Sequence, residues 1–141
     1  DRITDRDRSV GRGVGGEDFR HEEGVAAGAL VDARGELLRY GLAGQVANNP
    51  DNSVAGAGDL RRQAEKVYEN IGHILRAAGA TPASAVKETT WVLSIDTWRQ
   101  QGTPLRRAFY NGAYPASTLV EIQGLARPEF LVEIEVIAAV P

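Results

Sequence analysis

The chain reads as a single α+β domain, with both helices on one face of a sheet. Three observations predict this. A long stretch, about Asp59 to Ala78, repeats its apolar residues at helical spacing. Several short runs are rich in β-branched residues and bounded by Gly, Pro and Asn turns. Their order along the chain is β-β-α-β-α-β-β, which suits a sheet with both helices packed on one side.

Residues 1–20 stand apart. Asp1, Arg2, Asp5, Arg6, Asp7, Arg8 and Arg12 mix with Gly11, Gly13, Gly15 and Gly16, and only Ile3, Val10, Val14 and Phe19 are large and apolar. Such a segment buries too little surface to offset its ordering entropy, so it is expected to be a mobile or partner-dependent arm. Arg12-Gly13-Val14-Gly15-Gly16 superficially resembles a phosphate loop, but it follows no strand and lacks the Gly-Lys-Ser/Thr ending. The domain proper is expected over 21–141.

Gly28–Val31 and Leu37–Val46 read as two strands joined by Asp32-Ala33-Arg34-Gly35, and Asn48-Asn49-Pro50-Asp51-Asn52 is a dense turn signal. In the first helix, Leu60, Ala64, Val67, Tyr68, Ile71, Ile74, Leu75 and Ala78 form one apolar stripe. Arg61, Arg62, Glu69 and Asn70 are expected to face elsewhere. Asp59 can cap its start and Gly79 can end it in a left-handed conformation. Ala85–Ile95 reads as a strand. A second helix is expected over Thr97–Tyr110, interrupted at Gly102 and restarted with Thr103 as cap and Pro104 as first helical residue. Ser117–Gln123 and Phe130–Val140 complete the sheet.

In the last strand, Val132, Ile134, Val136, Ala138 and Val140 belong under the helices. Leu131, Glu133, Glu135, Ile137 and Ala139 share the other face, and Ser117, Leu119, Glu121 and Gln123 are assigned to it as well. A second face that mixes acids with apolar residues suggests a subunit interface containing pockets, although solvent contact would also explain it.

Composition narrows the function. The chain has 141 residues, is 43% hydrophobic and 25% charged, and carries a formal charge of -3. Neither nucleic acid nor an anionic membrane is an expected partner. Only Lys66 and Lys87 among the 16 basic residues are lysines, and the arginines are scattered. With no cysteine, disulfides, thiolate catalysis and cysteine metal sites are excluded. His21 and His73 are too far apart in sequence to suggest a metal motif. No metal or cofactor is expected. No apolar run approaches the roughly 20 residues that span a bilayer, and no signal peptide is visible, so a cytoplasmic location is the expectation.

Several short strings in sequence order are similar to the Rid/YjgF family of reactive-intermediate imine and enamine deaminases. They are Ala43-Gly44-Gln45-Val46, Glu69-Asn70-Ile71, Val86-Lys87-Glu88-Thr89-Thr90, Tyr114-Pro115-Ala116-Ser117-Thr118 before Val120-Glu121, and Leu131-Val132-Glu133-Ile134-Glu135-Val136-Ile137-Ala138. The resemblance covers about residues 25–141. It implies a chorismate-mutase-like fold and a homotrimer whose sheets line a central barrel, with a small-molecule cleft at each subunit boundary.

In active relatives an arginine after the Pro-Ala pair clamps the substrate carboxylate, a task that suits its bidentate fork. Here that position is Ser117. The resemblance also places Glu133, the Gly44-Gln45 strand end and Tyr114 in the cleft. A serine of the family pattern becomes Ala43, a cleft tyrosine aligns loosely with Val25, and an asparagine of the second helix falls near Gly102. Arg127 or Arg106 are the candidates to replace the clamp. Glu133 reads either as the acid/base of the cleft or as a polar residue of the interface, and Glu135 as its partner or as half of a salt bridge. Trp91 and Trp98 read as core or interface aromatics, and His73 as a solvent residue.

Three function classes follow. The first is a Rid-type enzyme acting on an enamine, imine or related intermediate other than a simple 2-imino acid. The second is a non-catalytic metabolite-binding trimer. The third, a ribonuclease or translation inhibitor, is disfavoured by the acidity and the lack of a basic groove.

Overall fold

The computed structural model describes residues 38–140. The arm 1–20, the strand expected over Gly28–Val31, His21 and Val25 lie outside the described residues. Among the described residues, four strands, β1 (Leu38–Gln45), β2 (Ala85–Val92), β3 (Ala116–Glu121) and β4 (Val132–Val140), form one sheet in the order β1-β4-β2-β3. β4 pairs antiparallel with both β1 and β2, while β2 and β3 run parallel. A parallel pair needs a crossover, and the second helical segment supplies it.

The first helix, α1 (Leu60–Ala77), is laid down as its periodicity predicts. Asp59 accepts a hydrogen bond from the Arg62 N–H at 3.0 Å, and Gly79 at φ +71 ends the helix. Its apolar stripe packs on Val132, Ile134, Val136 and Ala138 of β4, all fully buried. Each of the buried valine and isoleucine side chains contributes about 1.5–3 kcal/mol over remaining exposed.

Two polar residues of α1 are also buried, and one corrects an expectation. Asn70 faces inward, and its Nδ2 donates to the carbonyls of Val46 and Asn48, so it latches the chain leaving β1. Gln63 is fully buried. Its Nε2 donates to the Glu129 carbonyl at 2.7 Å and its Oε1 accepts from the Leu131 N–H at 2.8 Å, tying α1 to the entry of β4.

The second helical segment runs differently from expectation. β2 stops at Val92, and the Ser94 hydroxyl caps a short turn, α2 (Ile95–Thr97), by accepting from the Thr97 N–H. There is no break at Gly102. The chain widens into a π turn, Trp98–Gly102, and continues as α3 (Thr103–Tyr110) with Gly102 and Thr103 both in right-handed helical conformation. Pro104 lacks an N–H, and its ring would crowd the carbonyl four residues back. A wider turn relieves that conflict, with the Thr103 N–H donating to the Trp98 carbonyl. No Thr103 side-chain cap forms.

The faces of β4 follow the predicted alternation, but β3 is assigned to the wrong phase by its sequence. Ser117 and Leu119 are in register with Glu88 and Thr90, which are buried on the helix side. Leu119 packs against the core, and Glu121 accepts from the Ile95 N–H at 2.8 Å. Thr118 and Val120 therefore occupy the outer face. An edge strand with polar residues on both sides carries no phase of its own; pairing with β2 sets it.

Candidate functional site

Two clusters of chemically capable side chains emerge, on opposite faces of the sheet. The first surrounds Glu133 on the outer face. β1 carries a bulge between Leu42 and Gln45, where its register with β4 shifts. The extra residue lets Leu42 and Gln45 both turn inward, leaving Ala43 and Gly44 on the outer side. Gln45 is buried, and its Nε2 spans the bulge to the Ala43 carbonyl at 2.8 Å. Gly44 lies directly against Glu133: a Cβ there would overlap the carboxylate. Trp91, half-buried, is in register with Glu133 on one side and Val120 on the other.

Glu135 shares this face two residues along. Burial, and then the neighbouring Glu135 charge, hold the Glu133 carboxyl above its ordinary value of 4.5. A carboxyl of raised affinity for its proton, against glycine, is equipped for proton transfer.

The second cluster lies on the helix side, around Glu88. This carboxylate is 0% exposed, yet it is richly partnered. Its Oε1 accepts from Arg106 Nε at 2.6 Å and from the Thr90 hydroxyl at 3.4 Å. Its Oε2 accepts from the Tyr110 hydroxyl at 2.6 Å and from the Tyr68 hydroxyl at 3.3 Å. Arg106 and Tyr110 are four residues apart on α3, so both reach the same point. Burial, and then the Glu88 charge, push both tyrosine hydroxyls well above their usual range, so they remain donors. Burial alone would weaken the protonation of Arg106, but Glu88 outweighs it and the net shift is upward.

Arg106 is also held between aromatic rings, its guanidinium carbon 5.3 Å from the Tyr110 centroid and 5.5 Å from that of Tyr114. Tyr114 is 52% exposed, at the mouth of this arrangement. Ser117, exposed, stands on the same side of the sheet in register with Glu88.

The structure thus brings Tyr114 and Arg106 together, with Ser117 on the same face in register with Glu88, the partner of Arg106, and separately Gly44 and Glu133. Within one chain these groups do not meet. Glu133 lies on β4 at the Val92 end of β2, and Ser117 lies on β3 toward the other end and on the opposite face. Arg127 follows the Glu121 end of β3, away from Ser117. It donates to the Asn52 carbonyl at 3.0 Å and to Glu129 at 3.3 Å, and covers the Phe130 ring. Trp98 is a core residue. His73 sits on the α1 surface between Glu69 and Arg76.

Glu88 and its tyrosines are what the sequence reading missed as a site. A signal was present: a lone acid at the inward phase of a β-branched strand, with an Arg and a Tyr at helical spacing downstream. Among the described residues, no group of three His, Cys, Asp or Glu side chains is arranged to hold a metal ion. Nor is any helix among them long and apolar enough to cross a membrane.

This architecture has known counterparts. YyfB of Yersinia pestis, a protein of unknown function in the conserved Rid family, superposes with a TM-score of 0.68 at 38% identity, covering 79% of this chain and 84% of that one. A RutC family protein of Pyrococcus abyssi is 30% identical over 97 residues, 69% of this chain and 75% of its own. The 2-iminobutanoate/2-iminopropanoate deaminase of Rattus norvegicus is 27% identical over 95 residues, 60% of this chain and 69% of its own. The profile of the family described as Endoribonuclease L-PSP matches residues 29–140. An α+β sheet of this order, these Rid and RutC relatives, and a family profile spanning nearly all of the domain place the chain in the Rid/YjgF family.

Proposed function

We propose that the chain works as a homotrimer with a small-molecule cleft at each subunit boundary, hydrolysing an enamine, imine or related reactive intermediate other than a simple 2-imino acid. The observation that carries this reading is Glu133: a partly buried carboxyl of raised proton affinity, seated against Gly44 on a sheet face that one subunit leaves half-covered. Deaminases among the relatives supply the reaction class. Glu133 takes a proton from a water that attacks the C=N carbon and returns it to the nitrogen, giving a carbinolamine. The carbinolamine hydroxyl then yields its proton through Glu133 to the same nitrogen as the C–N bond breaks, releasing ammonia and leaving a carbonyl.

The separation of Glu133 from Ser117 supports a boundary site. A cleft that uses both needs Glu133 from one subunit and the Ser117 rim from another. Ser117 stands where the resemblance puts the carboxylate-clamping arginine, and a hydroxyl cannot replace a charge-assisted bidentate pair. Small 2-imino acids offer little else to grip, so their turnover is expected to be negligible.

Light scattering and a coupled assay, with imines generated from amino acids, test this. A trimer with negligible turnover of 2-iminopropanoate and 2-iminobutanoate is expected, and Ser117→Arg should raise that turnover. A stable monomer would end the cleft reading. Turnover comparable with an arginine-bearing relative would remove the substrate restriction. A trimer that releases no ammonia from a broad imine panel would identify a metabolite-binding protein.

A further inference from the structure

Arg106 is placed for more than structural pairing. Its guanidinium spends Nε on Glu88, and its Nη groups make no hydrogen bond among the described residues. The side chain is 18% exposed, between Tyr110 in the core and Tyr114 at the surface. Ser117 lies one strand spacing (about 4.8 Å) out from Glu88 and on the same face. β3 is the edge of the described sheet, so this rim is reachable from outside the core.

The charge balance decides what such a rim prefers. Glu88 cancels the Arg106 charge at 2.6 Å. The other nearby cations do not replace it: Lys87 is on the outer face, bonded to the Thr118 hydroxyl, and Arg107 is exposed to solvent. A carboxylate docked on the Nη edge would meet the guanidinium and, at about twice the distance, the Glu88 carboxylate, so repulsion removes roughly half of the attraction. Its desolvation cost would remain. An uncharged carbonyl oxygen still receives a hydrogen bond from a cationic donor, with far less desolvation to offset.

We infer that Arg106, held by Glu88 and flanked by Tyr110 and Tyr114, is the specificity-determining residue of this rim and selects a ligand carrying an uncharged carboxamide-type carbonyl over one carrying a carboxylate. This rests on the rim being one wall of the proposed cleft. Arg106 donates through Nη to the carbonyl oxygen, and Ser117 accepts from the amide N–H.

The probes are 2-oxobutanamide and 2-oxobutanoate, identical but for the charged group, titrated calorimetrically against the full chain. The amide should bind the wild type at least about tenfold tighter than the acid. Glu88→Gln removes the cancelling charge while keeping the shape, and should shift the preference by about tenfold or more toward the acid. A wild type that prefers the acid, a preference unchanged in a folded Glu88→Gln, or no binding of either probe overturns the inference. Should Glu88→Gln lose its circular-dichroism signature, Arg106→Lys retains a cation for Glu88 but not the second N–H edge. It should weaken the amide by about tenfold, and unchanged amide affinity overturns the inference. Preference for the acid in a trimer whose turnover is lost in Glu133→Gln would sink this assignment and leave the cleft reading standing. A stable monomer would end the cleft reading, and this assignment with it.

Discussion

Arg106 Nε donates to Glu88 Oε1 at 2.6 Å, and the carboxylate it pairs with is wholly removed from solvent. The pair is closed in by two tyrosine hydroxyls and two aromatic rings, so neither partner can be removed alone without leaving the other stranded. Glu88→Ala is expected to cost about 3–5 kcal/mol. Glu88→Leu combined with Arg106→Met should cost distinctly less than the sum of its single changes. Urea unfolding at matched protein concentration measures all of these, and simple additivity would show that the pair is not coupled.

The Glu133 carboxyl makes a pH prediction of definite sign. Burial and Glu135 raise its folded proton affinity above the ordinary value of 4.5. The folded state therefore holds this proton where the unfolded state releases it, and stability falls as pH rises through that window. Glu133→Gln should melt higher than the wild type near neutral pH, with the difference shrinking to nothing below 4.5. A variant that melts lower at neutral pH and separates into monomers would identify Glu133 as an interface residue.

Gly44→Ala should separate activity from stability. The new methyl would overlap the end of the Glu133 side chain, which is flexible and can swing aside. The expected change in stability is within about 1 kcal/mol, as for a surface substitution that a neighbour can accommodate. Catalysis or ligand binding through Glu133 should fall sharply. Full activity in a folded Gly44→Ala chain would detach Glu133 from the chemistry.

Gly102→Ala should destabilise, although helix propensity alone predicts a gain of up to about 1 kcal/mol. A Cβ at Gly102 would overlap the ring of Trp98, which is buried and has no room to shift. Overpacking of this kind costs about 1–3 kcal/mol. Thermal melting settles the sign, and a higher midpoint would mean that the π turn can relax.

By itself, the sequence determined what depends on neighbours along the chain. The α1 stripe, its Asp59 cap and its Gly79 stop were legible because helical periodicity and end chemistry are local. The inward and outward sets of β4 were legible because five alternate apolar residues leave one possible phase. The family strings were legible in the same way, and they drew attention to Ser117 and Glu133 before any geometry.

Tertiary structure decided the rest. Asn70 read as a residue facing away from the core, and nothing local marked Gln63, until the carbonyls and N–H groups that satisfy them arrived from segments distant in sequence. The phase of β3 came from its pairing with β2, the inward turn of Gln45 from a bulge against β4, and the unbroken passage through Gly102 from the π turn that makes room for Pro104. Glu88 looked like one more polar residue in a matching string. Its burial is tolerable only because Tyr68, Arg106 and Tyr110 converge on it, from 20, 18 and 22 residues away. A buried charge is stabilised by the full set of its partners, and that set exists only once the chain has folded.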